Sequence, residues 1–155
     1  MEKKKRLNIL DIDTFSKKNI ITTTPKDTKN LGEQFASILK NGDIVFLNGS
    51  LGSGKTTFVQ GVIKAFGIKG FARSPSFILV NEYNINCNLK LFHLDLYRLE
   101  PTDIWNIGIE EYIYSNNIAL IEWSNRLTEC KNDNSWDIKI EYFKSKRIIK
   151  IEKKR

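Results

Sequence analysis

The segment that most constrains this chain is the glycine-rich run Gly49-Ser50-Leu51-Gly52-Ser53-Gly54-Lys55-Thr56-Thr57, which fits the pattern G-x-x-x-x-G-K-T. The aliphatic residues 44–47 precede it, and residues 57–66, with apolar positions at helical spacing, follow it. Strand, glycine-rich loop and helix in this order are the context in which the pattern forms a P-loop. The sequence therefore predicts an α/β domain that binds a nucleoside triphosphate.

The chemistry of the run explains its residue types. Several backbone N–H groups must point inward at phosphate oxygens, and glycine adopts the required left-handed conformations at little cost. All nine residues from 49 to 57 are therefore candidate nucleotide contacts. Lys55 is expected to reach the β- and γ-phosphates, and the Thr56 hydroxyl is expected to ligate Mg²⁺.

Composition narrows the class of protein. A chain of 155 residues is expected to form one nucleotide-binding domain over 19–155, preceded by a polar extension over 1–18. Its apolar runs are too short to span a membrane, and no signal-like region follows the basic N-terminus. Cys87 and Cys130 lack metal-ligand spacing, which favours reduced thiols in a cytoplasmic protein.

The net charge of +7 is concentrated in basic clusters at both ends of the chain. Such clusters suit RNA or an acidic protein surface as partner. They also suit solvated faces in a lysine-rich protein, and the charge alone does not separate these interpretations.

The remaining pattern predicts a mixed sheet with flanking helices. A strand over 19–23 leads to a helix capped by Thr24, with apolar positions Leu31, Phe35, Ile38 and Leu39, that ends at Asn41-Gly42. Further predicted elements are strands over 77–80 and 89–95 joined by a turn over 84–88, a helix over 101–112, a strand over 118–121, and a C-terminal β-hairpin through a tight Lys144-Ser145 turn. The fold class is thus a single α/β P-loop domain with parallel and antiparallel strands.

A P-loop NTPase also needs an acid that holds Mg²⁺ and a group that positions water. Glu122 follows one predicted strand and Asp95 ends another, so both are expected at the carboxyl edge of the sheet, where open α/β folds place ligands. The pattern leaves open which of the two is the metal-site acid. Ser74-Pro75-Ser76-Phe77 is either a phosphate-sensing loop or an ordinary turn.

Taken in order, the P-loop, Ser74-Pro75-Ser76-Phe77, the segment His93-Leu94-Asp95-Leu96-Tyr97-Arg98-Leu99 and the pair Glu122-Trp123 resemble the bacterial tRNA threonylcarbamoyladenosine biosynthesis ATPase family, TsaE (formerly YjeE). The resemblance runs from about residue 22 to residue 127. The last two motifs are far more specific to the family than the P-loop.

The resemblance implies an ATPase that uses ATP and Mg²⁺ and acts with the partners TsaB and TsaD. Their product is the threonylcarbamoyl modification of the adenosine beside the anticodon in tRNAs that read ANN codons. By the same resemblance, Thr56 and Glu122 ligate Mg²⁺, Lys55 holds phosphates, and Asp95 is required for activity. Ser76 would contact the nucleotide, and Trp123 would lie either near it or in the core.

Three further expectations follow. Only Arg73 and Arg98 flank the site segments, so hydrolysis should be slow until the partner heterodimer docks. The rival functions are a small phosphotransferase and a nucleotide-sensing, RNA-binding adaptor. A GTPase is disfavoured, because the sequence lacks the guanine-reading N-K-x-D pattern.

Overall fold

The computed structural model describes Phe15 and residues 19–70, 80–127, 130 and 134–154. Its strands are β1 (Ile20–Thr22), β2 (Ile44–Asn48), β3 (Val80–Asn86), β4 (Leu89–Asp95), β5 (Ile118–Glu122), β6 (Ser135–Phe143) and β7 (Lys146–Lys153). They form one sheet in the order β1-β7-β6-β2-β5-β4-β3. The four central strands are parallel, whereas β3, β7 and β1 pair antiparallel to their neighbours. The predicted mixed sheet is confirmed.

The central strand β2 is buried on both faces, which explains its unbroken apolar sequence. Val45 and Leu47 face the helices α1 (Pro25–Ala36) and α2 (Lys55–Ala65). Ile44 and Phe46 face a second apolar cluster, formed with Ile104, Ile109 and Ile113 from the connection between β4 and β5. Both layers hold the carboxyl end of β2, and hence the P-loop, in place.

Helix α1 begins as predicted. The Thr24 hydroxyl accepts a bond from the Asp27 N–H at 3.1 Å, and the Asp27 carboxylate accepts one from the Thr24 N–H at 2.9 Å. This reciprocal capping box satisfies two N–H groups that a helix start otherwise leaves unpaired. Phe15, from the N-terminal extension, is buried edge-on against Phe35 of this helix.

The predicted end of α1 at Asn41-Gly42 is wrong. The helix stops at Ala36, because the following N–H groups of residues 37–39 bond to carbonyls three residues back in a tighter turn. Ile38 and Leu39 lie beyond the helix but still pack against the core.

The predicted single helix over 101–112 is also wrong. It is a 3₁₀ turn, Trp105–Ile107, followed by the short helix α3 (Glu110–Ile113). Gly108 separates them with φ of +72°, a left-handed conformation that interrupts a right-handed helix. Ile104 and Ile109 are nevertheless buried, and Trp105, Ile107 and Tyr112 are partly buried against the same cluster.

The two hairpins differ in how well their sequences predict them. Strand β3 continues to Asn86, so the turn is Cys87-Asn88 rather than 84–88, and a register irregularity follows Asn84. The start of the predicted strand, 77–79, lies outside the described residues. Lys144 and Ser145 form the predicted tight turn, with φ of +44° and +63°.

Candidate functional site

The P-loop connects β2 to α2 at the carboxyl edge of the sheet. Its first glycine, Gly49, lies so close to β6 that a β-carbon would collide with the Ile140 carbonyl oxygen. Its last, Gly54, caps α2 with φ of +109°. Glycine is therefore required at both positions, for space at the first and for backbone conformation at the second.

Lys55, the first residue of α2, is only 4% exposed. Its Nζ donates to the carbonyl oxygens of Gly49 at 2.8 Å and Ser50 at 3.0 Å. Burial lowers the pKa of Lys55, and the nearby carboxylates of Glu122 and Asp95 act in the opposite direction. A desolvated ammonium enclosed by backbone is a favourable place for an additional anion.

Glu122, the last residue of β5, links two other elements through its carboxylate. Its Oε2 accepts the Thr56 hydroxyl at 2.9 Å, and its Oε1 lies 2.9 Å from His93 Nε2 on β4. Glu122 is 2% exposed and His93 is 5% exposed, so water competes little for these contacts. The structure thus brings the predicted pair Thr56 and Glu122 into direct contact.

Asp95 lies beside Glu122, because the two residues are register partners at the ends of β4 and β5. Its Oδ1 accepts the Tyr97 N–H at 3.0 Å. Burial raises the pKa of Asp95, and the charge of Glu122 adds to that effect, whereas the Tyr97 bond, His93 and Lys55 oppose it. Both candidate acids are therefore at the predicted edge, but Glu122 alone bonds to Thr56.

Trp123 has a left-handed backbone, with φ of +59°, immediately after β5. This turn places its ring 4.1 Å from Lys55 Nζ and 4.8 Å from the Tyr97 ring centroid. The ring also packs against the second apolar cluster. Trp123 therefore packs against the core, as one of the two alternatives had it, and its ring also covers the P-loop lysine, while its contact with a nucleotide stays a prediction.

The turn after Trp123 is fixed to the end of β2. Asn48 Oδ1 accepts both the Ser124 hydroxyl at 3.0 Å and the Asn125 N–H at 2.8 Å. These bonds join the residues that precede the P-loop to those that follow Glu122. The end of β2 and the turn after β5 are therefore held together by these two hydrogen bonds as well as by the pairing of β2 with β5.

Sequence reasoning missed the contacts made by two residues. His93 lies two positions before Asp95, so strand alternation puts both side chains on one face, a signal that could have identified it. Arg147 on β7 donates from Nε to the Ser53 carbonyl at 3.0 Å. The expectation that only Arg73 and Arg98 flank the site is thus wrong, because sheet pairing brings in a residue 94 positions away.

Some residues that the sequence singles out lie outside the described part of the chain. Ser76, the rest of the 74–77 segment and Arg73 lie outside the described residues. Within the described part of the chain, no three His, Cys, Asp or Glu side chains cluster as metal ligands, and Cys87 and Cys130 are free thiols. No helix there is long and apolar enough to cross a membrane.

The chain is similar to known proteins over most of its length. It is 37% identical to the tRNA threonylcarbamoyladenosine biosynthesis protein TsaE of Bacillus subtilis, with 70% of this chain and 67% of that protein covered. Identity to the Aquifex aeolicus protein of the same name is 40%, covering 73% and 81% of the two chains. The crystal structure of Bacillus subtilis YdiB superposes with a TM-score of 0.72 at 30% identity, covering 88% of this chain and 85% of that one.

The family described as threonylcarbamoyl adenosine biosynthesis protein TsaE matches residues 22–149. That range contains the P-loop, His93, Asp95, Glu122 and Arg147. The chain therefore belongs to the TsaE family.

Proposed function

We propose that this chain is a Mg²⁺-dependent ATPase subunit, required with TsaB and TsaD for threonylcarbamoyladenosine formation beside the anticodon of ANN-decoding tRNAs. Membership of the TsaE family supports the role in this tRNA modification. The contact between the Thr56 hydroxyl and the Glu122 carboxylate carries the ATPase part. This contact brings a hydroxyl of the helix that follows the P-loop next to an acid at the end of a strand.

The residues present fit a magnesium nucleotide. Mg²⁺ prefers oxygen ligands and is commonly held by one or two protein groups, phosphates and water. Thr56 and Glu122 supply two such oxygens, while the buried Lys55 supplies a cation for the phosphates. When bound, the ion would neutralise negative charge on the phosphates while the terminal phosphoryl group is transferred to water.

Asp95 is suited to act on the water side of the reaction. It lies next to Glu122 but bonds to the Tyr97 backbone rather than to Thr56. Its raised pKa makes the carboxylate a better proton acceptor than an exposed aspartate. We therefore assign the metal to Glu122 and the orientation of water, or the coupling of hydrolysis to movement, to Asp95.

Hydrolysis by the chain alone should be slow. Arg126 donates to the Leu99 carbonyl at 2.6 Å, and Arg147 is bonded to Ser53, so both arginines are occupied within the fold. A positive group supplied by a partner can add about 10³–10⁵ to the rate in related NTPases. Docking of the TsaB–TsaD heterodimer is the proposed source of that stimulation.

The test compares ATP hydrolysis by the purified full chain with and without purified TsaB and TsaD. We expect Mg²⁺-dependent turnover to rise when both partners are present, together with modification of an ANN-decoding tRNA transcript. Equal rates with and without partners would refute partner stimulation. Absence of Mg²⁺-dependent ATP binding in the chain would refute the ATPase assignment itself.

The RNA-binding adaptor has less support. Lysines on the β6–β7 hairpin or directly after it form ion pairs with hairpin carboxylates, namely Lys139–Glu141, Lys150–Glu152 and Lys154–Asp137. The carboxylate beside each of these lysines offsets its positive charge locally, which weakens the attraction of this surface for a phosphate backbone. Recovery of tRNA by the chain without TsaB and TsaD would favour the adaptor instead.

A further inference from the structure

Trp123 holds a backbone conformation that a bulky residue rarely adopts. Its φ of +59° and ψ of +36° lie in the left-handed region, where the β-carbon is crowded by the following carbonyl oxygen. Such a conformation persists only where the surrounding structure imposes it, and it is common at functional sites. The contacts on either side of Trp123 identify what imposes it here.

Two consecutive residues at the end of β2 hold this turn. The Trp123 N–H donates to the Leu47 carbonyl at 3.0 Å, which continues the pairing of β2 with β5. The Asn48 side chain then accepts the Ser124 hydroxyl at 3.0 Å and the Asn125 N–H at 2.8 Å. Ser124 is 7% exposed, so water competes little for its bond. One amide oxygen thus fixes the two residues that follow the strained position.

The strained turn places the Trp123 ring over the P-loop lysine. A lysine ammonium has three N–H donors. Two of those on Lys55 bond to the carbonyl oxygens of Gly49 and Ser50, and the centre of the Trp123 ring lies 4.1 Å from the same nitrogen. Tryptophan is the aromatic residue that attracts a cation most strongly, and the burial of Lys55 strengthens the contact by excluding water. A phosphate that approaches Lys55 must therefore compete with the ring for the remaining donor.

We propose that Asn48 is a positioning residue that keeps Trp123 strained and seated on Lys55, so that the ring opposes the binding of phosphate. Loss of the bonds to Asn48 lets the turn relax and withdraws the ring from Lys55. This role rests on the proposed function, since it assumes that the P-loop binds phosphates. It gives Asn48, which does not itself touch Lys55, control over access to that lysine.

The experiment uses inorganic tripolyphosphate, which carries phosphates without a nucleoside, and omits Mg²⁺ so that Glu122 does not contribute through a metal. Calorimetry measures its affinity for the full chain and for the variants Asn48→Ala, Trp123→Leu and the two combined. Ser124→Ala removes one of the two bonds to Asn48 and is the milder change if Asn48→Ala folds poorly. Trp105→Leu is the control, because Trp105 packs against the same apolar cluster as Trp123 but lies on the 3₁₀ turn before α3. A melting curve for each variant checks that it folds.

In Trp123→Leu we expect tripolyphosphate affinity to rise by about 10-fold, roughly 1.4 kcal/mol, which lies within the range of a cation–π contact. Asn48→Ala should give a comparable gain and Ser124→Ala a smaller one, whereas damage to the loop would lower the affinity. The combined variant should bind no more tightly than Trp123→Leu, because Asn48 acts through the ring. Trp105→Leu should leave the affinity unchanged.

Unchanged or reduced affinity in Trp123→Leu would overturn the proposal, since the ring would then not compete with phosphate. Additive gains in the combined variant would overturn the role of Asn48, because they would mean that it acts independently of Trp123. Absence of binding of both tripolyphosphate and ADP, in the unmodified chain and in every variant, would refute the proposed function as well.

Discussion

Thr56 and Glu122 are 66 residues apart in sequence, yet the hydroxyl of one lies 2.9 Å from the carboxylate of the other. The contact joins the first turn of α2 to the end of β5, which pairs in parallel with the P-loop strand. Thr56 is exposed and Glu122 is buried, so the hydroxyl is the side of the pair that a ligand reaches first. A metal ion bound here would take the Thr56 hydroxyl and the Glu122 carboxylate as oxygen ligands, in place of the hydrogen bond between them.

The first prediction concerns the charge on Glu122. Glu122→Gln preserves the shape and a hydrogen-bonding partner for Thr56 but removes the negative charge that Mg²⁺ requires. We expect Mg²⁺-dependent turnover with TsaB and TsaD to fall by more than about 100-fold, while ADP binding without Mg²⁺ persists. ATP hydrolysis and calorimetry measure the two effects.

Glu110→Gln is the matched control, because Glu110 is exposed on α3, away from the P-loop. It should leave both measurements unchanged. If Asp95→Asn abolished turnover and Glu122→Gln did not, the roles assigned to the two acids would have to be exchanged.

The second prediction concerns His93 as a positioning residue. Its Nε2 lies 2.9 Å from Glu122 Oε1, which leaves Oε2 directed toward Thr56. Outer partners of this kind orient metal ligands, and their loss commonly costs about 10–100-fold in metal affinity or activity. His93→Phe should therefore raise the Mg²⁺ concentration needed for half-maximal tightening of ADP binding.

The conservative variant His93→Gln retains an amide that can bond to Glu122, and we expect it to restore part of the Mg²⁺ response. ADP affinity in the absence of Mg²⁺ should be the same in both variants. A comparable loss of ADP affinity without Mg²⁺ would indicate general damage to the site rather than misplacement of Glu122.

The strand ends were predictable because their signal is local. Glu122 and Asp95 each follow an apolar run, and parallel strands align their carboxyl ends, so their proximity follows from the sheet alone. The cap of α1 was predictable for the same reason, since Thr24 and Asp27 interact within four residues.

Other features depend on contacts that sequence does not display. Arg147 reaches the P-loop only because β7 pairs with β6 and β6 pairs with β2, a consequence of the completed sheet. The single helix predicted over 101–112 is wrong because apolar spacing indicates which side chains are buried, not whether the backbone is continuous. The left-handed conformation of Gly108 interrupts the helix while the apolar side chains on either side still pack against the cluster. The position of Trp123 was ambiguous from the sequence because its ring contacts both the second apolar cluster and Lys55.

The third prediction concerns the contact between α1 and α2. A β-carbon on Gly61 would collide with the Lys29 carbonyl oxygen, and one on Gly32 would collide with the Phe58 carbonyl oxygen. Each glycine thus lets the backbone of one helix approach the other. Alanine would improve helix propensity by about 1 kcal/mol, but a clash with backbone cannot be relieved by rotating a side chain.

We therefore expect Gly61→Ala to lower the free energy of unfolding by about 1–3 kcal/mol. The melting temperature should fall by about 2–4 °C for each kcal/mol in a chain of this size. Gln34→Ala, an exposed substitution on α1, is the control and should change stability little. Unchanged or increased stability in Gly61→Ala would mean that the helices can separate without cost.

The fourth prediction follows from the raised pKa of Asp95. Burial disfavours its ionised form, so above that pKa the charged side chain reduces the stability of the folded state. Asp95→Asn removes the charge and keeps an oxygen that can accept the Tyr97 N–H. At pH 7 the variant should melt at a higher temperature than the unmodified chain while losing ATP hydrolysis with TsaB and TsaD.

The gain in stability should shrink as pH falls through the raised pKa and disappear below about pH 4, where aspartate is protonated in both folded and unfolded states. Thermal melts of both proteins between pH 3 and pH 8 measure this difference, and a gain that stayed constant across the range would show that it does not arise from ionisation of Asp95.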